Sequence, residues 1–142
     1  MDQWYDFHEF GCHLGNVGYV EAMKWSRLAA EQGNVGAQFL LGYSYRNGEG
    51  VTQDDAEAVK WYRLAAEQGD ALSQFSLGHM YLNGDGVIQD TVSAHMWFNI
   101  AASSGDSTGK ANRDVIAKDM TPAQIAEAQK LARDWITEHP SQ

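Results

Sequence analysis

The chain lacks most of what would tie it to chemistry, nucleic acid or a membrane. It has a single cysteine, Cys12, in 142 residues, so no intrachain disulfide can form. That usage fits a reducing compartment. Its two prolines, Pro122 and Pro140, lie near the C-terminus, and helices before residue 122 meet no ring that would break them. Ten Lys and Arg stand against 19 Asp and Glu, giving a formal net charge of −9, and the basic residues form no cluster. A phosphate backbone is repelled by such a chain, so nucleic acid is not an expected partner. Anionic membrane surfaces are disfavoured for the same reason. No stretch reaches the roughly 18 apolar residues of a membrane helix. The opening MDQWYDFHEF carries acids where a secretory signal needs a basic start and an apolar run, so the expected location is the cytoplasm. A partner of basic or apolar character is easier to accommodate.

What the chain does have is a period. Trp25, Trp61 and Trp97 fall 36 residues apart, and so do Ala29, Ala65 and Ala101, and Gly33, Gly69 and Gly105. The segment EAMKWSRLAAEQG, from Glu21 to Gly33, is echoed by EAVKWYRLAAEQG, from Glu57 to Gly69. A single globular core has no reason to repeat at a fixed interval, whereas stacked units bury each apolar face against the next. With 44% hydrophobic residues, 11% aromatic, the chain can bury a core of one domain, residues 1–142. The predicted fold is all-α: a right-handed solenoid of stacked antiparallel helical hairpins with C-terminal capping helices, roughly eight helices and no strand. Its units are 3–33, 34–69, 70–105 and a cap over 106–142.

One unit reads as two helices. Ala37, Leu41 and Tyr45 recur at one helical face, and Gly42 leaves room for a second helix to come close. Asn47-Gly-Glu-Gly50 is a turn. Asp54 or Asp55 can cap the second helix, whose buried face is Ala58, Trp61, Ala65 and Ala66, with Gly69 at its C-terminal end. The next unit follows residue by residue, with Leu77-Gly78, Tyr81, Asn83-Gly-Asp-Gly86, Asp90 and Ala94. In the first unit, Trp4, Phe7, Gly11 and Leu14 place a helix within residues 3–14, Gly15-Asn-Val-Gly18 forms a short turn, and the second helix runs from Tyr19 to Gln32. After Gly105 the repeat decays, and Asp114 stands where the Leu-Gly glycine should be. Thr121, Pro122 and Gln124 then start a last helix with Ile125, Ala128, Leu131, Ala132 and Trp135 on its apolar face and Glu127, Lys130 and Arg133 on the polar one.

On these residues the chain resembles the Sel1-like repeat family, a relative of the tetratricopeptide repeat. The pattern is carried by Ala37, Leu41, Gly42, Tyr45, Gly48, Gly50, Val51, Asp54, Ala58, Trp61, Ala65, Ala66 and Gly69. A second copy runs from Leu77 to Gly105, with Ser73 in place of the leading alanine, and the first unit matches only in its second helix. The segment from Asn112 to Trp135 resembles the end-cap of bacterial members. The resemblance implies an adaptor or scaffold for other proteins. Some secreted relatives linked with penicillin binding depend on disulfides within each repeat, which this chain does not have.

Other signals are weaker. His8-Glu9 suggests a zinc-hydrolase helix, but the second histidine is His13, with Cys12 at the required position. A metal on His8, Cys12 and His13 competes with a plain helix end, and the plain reading is preferred, so no metal or cofactor is expected. Gly48-Glu-Gly50 and Gly84-Asp-Gly86 follow helices and lack the lysine of a phosphate cradle, so they read as turns. His95 is placed on a solvated or partly covered face. No Ser/His/Asp or Cys/His set clusters, and a hydrolase acting on cell-wall material or β-lactams would need a nucleophile or metal that is not evident.

One stripe points to binding. Phe39, Tyr43 and Asn47 recur every four residues, and Phe75, His79 and Asn83 repeat them 36 residues on. The stripe lies about 200° around the helix from Ala37/Leu41/Tyr45, so it is expected to face away from the partner helix of its own hairpin. By analogy with right-handed hairpin stacks it would line a concave groove. The other reading is that Phe39 and Phe75 pack between hairpins. In the groove reading, aromatics take apolar anchors and cations of a peptide, and the Asn47 and Asn83 amides meet its backbone. Arg46 beside them suits a carboxylate. The competing class of function is self-assembly through the aromatic N-terminal end, Trp4, Tyr5, Phe7 and Phe10, into a homo-oligomer.

Overall fold

The computed structural model describes residues 16–140. Among them are seven helices and no strand: α1 Asn16–Glu31, α2 Val35–Asn47, α3 Asp55–Glu67, α4 Ala71–Asn83, α5 Thr91–Ser103, α6 Ser107–Ala117 and α7 Pro122–Glu138. From α1 to α6 consecutive helices pack in order as antiparallel hairpins, and α7 packs back on α5 rather than on α6. This is a helical-repeat solenoid.

The helix starts are built from short acceptors. Asn34 accepts from the Ala37 N–H at 2.8 Å, and Asp54, Asp70, Asp90 and Asp106 cap α3 to α6 in the same way. Four of the chain's acids therefore face the positive ends of helices, where a carboxylate is favourable. Thr121 and Gln124 make a reciprocal capping box on α7, as their spacing predicts. At the other ends, Gly33, Gly69 and Gly105 take φ of 94°, 95° and 94°, a left-handed turn that only glycine adopts without strain.

The predicted buried face of α3 holds and recurs on α5, whereas the matching Trp25 on α1 is 55% exposed. Ala58, Ala65 and Ala66 have no exposed surface, and Trp61 and Trp97 are 3% and 6% exposed. Trp61 packs with Met23, Ala30, Ala37 and Leu41, so it seals α3 onto the hairpin before it. Within hairpins the contact is tighter. A Cβ added to Gly42 would stand 2.7 Å from the Tyr62 ring, and one added to Gly78 would stand 2.7 Å from Phe98. Each glycine is a hole that the opposite ring fills.

Two expectations are corrected. Residues 16–18, read as a turn, belong to α1. The reason is the register: α3 and α5 are stopped by capping Asp54 and Asp90, and the equivalent position in the first unit is Gly18, which caps nothing and lies buried in the helix. His95 is buried, at 2% exposure, because α6 covers that side of α5. The readings placed on Trp4, Tyr5, Phe7, His8, Phe10, Cys12, His13 and the helix over 3–14 lie outside the described residues.

Candidate binding surface

The stripe on α2 and α4 is built by the same glycines that close the hairpins. Because Gly42 lets the Tyr62 ring cross α2, that ring also reaches Phe39, one turn earlier, with centroids 5.9 Å apart. Phe98 over Gly78 likewise meets Phe75 at 5.6 Å and His79 at 5.3 Å. Phe75 and His79 pack edge to face at 4.7 Å. The stripe therefore does not face wholly away from its own partner helix, as its angular offset had suggested. Its base, Phe39, Phe75 and His79, rests half-buried on the next helix, and its edge stands in solvent.

That edge is Tyr43, Asn47 and Asn83, all exposed, with 43% of Tyr43 open. The Asn47 side chain donates to the Tyr43 carbonyl at 2.9 Å, which spends one amide hydrogen and leaves its oxygen for another group. Arg46 is half-buried and acts on both halves of the stripe. Burial pushes the Tyr62 phenol up to about 12, offset in part by the Arg46 charge and by Ser76. Burial, and then Arg46, lower the pKa of His79. His79 is thus held neutral at physiological pH and serves as an aromatic face with ring nitrogens. His95 is lowered too, by burial and then by Arg113, but it lies on α5 away from this stripe.

Sequence reasoning missed a set of polar rungs between repeats. Buried Gln38 donates to the Ala30 carbonyl at 3.1 Å, and Gln74 donates to the Ala66 carbonyl at 3.0 Å. Arg27 and Arg63 donate to the hydroxyls of Tyr45 and Tyr81. Their signal was present as identity at the 36-residue interval, but a search for apolar periodicity passes over glutamine. Among the described residues no three His, Cys, Asp or Glu side chains gather as a metal site, and no helix is long and apolar enough to cross a membrane.

The two copies of this geometry, and the helix before them, coincide with known repeats. The family model for the Sel1 repeat matches residues 15–34, 35–70 and 71–106. The chain belongs to the Sel1 repeat family. It is similar to the crystal structure of c5321, described as a protective antigen present in uropathogenic Escherichia coli strains and displaying an SLR fold. The two are 35% identical with a TM-score of 0.86, over 92% of this chain and 28% of that one. It is also similar to a Sel1 repeat protein from Oxalobacter formigenes, at 27% identity and a TM-score of 0.70, over 95% of this chain and 55% of that one. This chain thus spans about a quarter and about half of those two. No curated protein matches it. Sel1 repeats are generally protein–protein interaction scaffolds, and the family is typically non-enzymatic.

Proposed function

We propose that this protein is a non-catalytic scaffold that binds a protein or peptide segment along α2 and α4, through Phe39, Tyr43, Arg46, Asn47, Phe75, His79 and Asn83. The observation that supports the reading is that the chain itself covers none of the seven completely, and that an exposed asparagine, Asn47 and then Asn83, recurs one hairpin apart. The half-buried rings hold the stripe rigid, which lowers the cost of ordering on binding. Tyr43 supplies a large exposed aromatic face, and the asparagines supply polar contacts to an extended backbone. The net charge of −9 favours a partner that combines apolar anchors with Lys or Arg, and Arg46 takes a carboxylate near the centre.

The test is an NMR titration of the full chain with a short peptide of alternating Leu and Lys. Shifts should concentrate at Tyr43, Asn47, His79 and Asn83. Tyr43→Ala removes a solvent-facing ring and should weaken binding about tenfold or more while the melting temperature stays put. Unchanged affinity in that variant would move the binding site off α2.

A further inference from the structure

The outer side of α3 carries a second feature that the α2/α4 stripe does not use. Val59, Lys60, Arg63, Leu64 and, at one end, Glu67 form one side of an open cleft of about 410 Å³, and Gly86 and Val87 form the other. The second wall is held against α3, since a Cβ at Gly86 would lie 2.4 Å from the Asp55 carbonyl oxygen. The floor is apolar: Val59 is buried and Val87 packs against the same core cluster, while Leu64 remains 38% exposed.

The lip is cationic. Lys60 is exposed, with its Nζ 5.3 Å from the Trp61 ring centroid. The Arg63 guanidinium lies 5.9 Å from the Tyr81 ring centroid and donates to the Tyr81 hydroxyl. A phenol positions a guanidinium without neutralising it. Among the described residues, no carboxylate lies within ion-pair distance of either cation.

The residue order recurs on α1. Lys24, Arg27, Leu28 and Glu31 stand in the order of Lys60, Arg63, Leu64 and Glu67, with Arg27 held by Tyr45 and Leu28 52% exposed, while Lys24 pairs with Glu21 at 3.5 Å. At the same register on α5 the residues are Met96, Asn99 and Ile100. There Ile100 is buried, and Met96 packs in a cluster that includes Ala132 of α7. The cations are present where this face is open and are replaced where the chain's own last helix covers it.

We propose that the α3 cleft, and the matching face of α1, bind an acidic, aliphatic segment of a partner protein. A leucine-like side chain rests on Val59, Leu64 and Val87, and a neighbouring carboxylate meets Lys60 and Arg63. Charge complementarity selects this occupant: in a chain of net charge −9, four of the ten basic residues sit at the α3 lip and on the matching face of α1. Glu67 and Glu31, one turn beyond the arginines, repel a carboxylate and so set the segment's direction. This site is separate from the α2/α4 stripe and takes a partner of opposite charge.

The test uses the full chain and a short fluorescent peptide of alternating Leu and Glu, followed by anisotropy and by amide shifts. Shifts are expected at Lys60, Leu64 and Val87 and at their counterparts Lys24, Leu28 and Val51, with Tyr43 and Asn83 unmoved. Lys24→Glu combined with Lys60→Glu changes only exposed positions and should weaken binding by about tenfold with the melting curve preserved. Leu64→Ser should weaken it several-fold without any change of charge. No binding at all, affinity unchanged by the double reversal, shifts confined to the stripe, or equal binding of a Leu and Lys peptide at the cleft would each overturn the proposal. None of these results bears on whether the Leu and Lys peptide binds the stripe.

Discussion

In the hairpin of α2 and α3, Gly42 lies under the ring of Tyr62, and in the next hairpin Gly78 lies under Phe98. In the closing pair, α6 and α7, Asp114 stands at the register of the glycine, and the shorter loop that follows takes α7, with Asp134, out of register. A carboxylate cannot serve as the hole, because burying it under a ring is opposed by desolvation. Both acids stay exposed and pair locally, Asp114 with Arg113 at 3.0 Å and Asp134 with Lys130 at 2.9 Å. α6 and α7 pack chiefly against α5 rather than against each other. The loop over 118–121 is shorter than the one over 84–90, so α7 starts early and lays Ala128 and Ala132 on the core, with Trp135 edge to face on Trp97 at 5.8 Å. The repeat propagates through a glycine–ring pair and ends where the glycine becomes Asp114 and a shorter loop shifts the next helix out of register.

The largest expected difference between these regions is in burial. Trp61→Ala should cost about 3–5 kcal/mol, because its ring is 3% exposed and fills the junction between two hairpins. Its indole nitrogen has no hydrogen-bond partner in the described structure, so the loss is chiefly one of packing, with the exposed Lys60 contact on its ring a smaller part. Trp135→Ala in the cap, where the ring is half-buried, should cost about 1–2 kcal/mol by area. Urea denaturation of the two variants measures both. Equal losses would mean that the end of the stack is packed as tightly as its middle.

The glycine–ring pair itself gives a smaller test with opposite signs. Gly78→Ala raises helix propensity, but its Cβ would press on the Phe98 ring, and the net loss should be about 1–2 kcal/mol. Asp114→Ala at the same register in α6 changes an exposed residue and should gain a few tenths of a kcal/mol. A gain in both variants would show that the ring yields freely and that the glycine is not what brings the helices together.

Much of this was legible because one physical demand writes one residue at a fixed interval. Trp61, Ala65 and Ala66 announced their burial by helical spacing, Gly42 its close contact, and Thr121 with Gln124 its cap. The misread positions are those where the demand comes from another element. His95 looks polar and open until α6 is laid over it. Phe39 looks turned away from α3 until the breadth of the Tyr62 ring is counted. Residues 16–18 looked like a turn because glycines were present, when the informative fact was the missing aspartate at Gly18. The binding stripe was visible as a spacing, but its division into a packed base and an exposed edge depends on rings arriving from the neighbouring helix.

The polar rungs carry the comparison down to a single hydrogen bond. At the first junction, Gln68 donates to Gln38 Oε1 at 2.8 Å and to the Gly33 carbonyl at 3.2 Å, so the buried Gln38 amide is used at both ends. At the second junction the residue in place of Gln68 is Ser104, which is too short to reach, and Gln74 Oε1 is left buried without a partner. Both positions are helix C-caps with nearly the same backbone, φ −87° at Gln68 and −88° at Ser104. A glutamine at 104 should therefore reach Gln74 as Gln68 reaches Gln38. Ser104→Gln is expected to stabilise the chain by about 1 kcal/mol, the worth of satisfying one buried acceptor. The control is Gln74→Leu, which removes that acceptor. If Ser104→Gln gives the same gain in the Gln74→Leu background, the added side chain acts through something other than the rung. If the gain vanishes there, the second junction has been brought to the standard of the first by one residue.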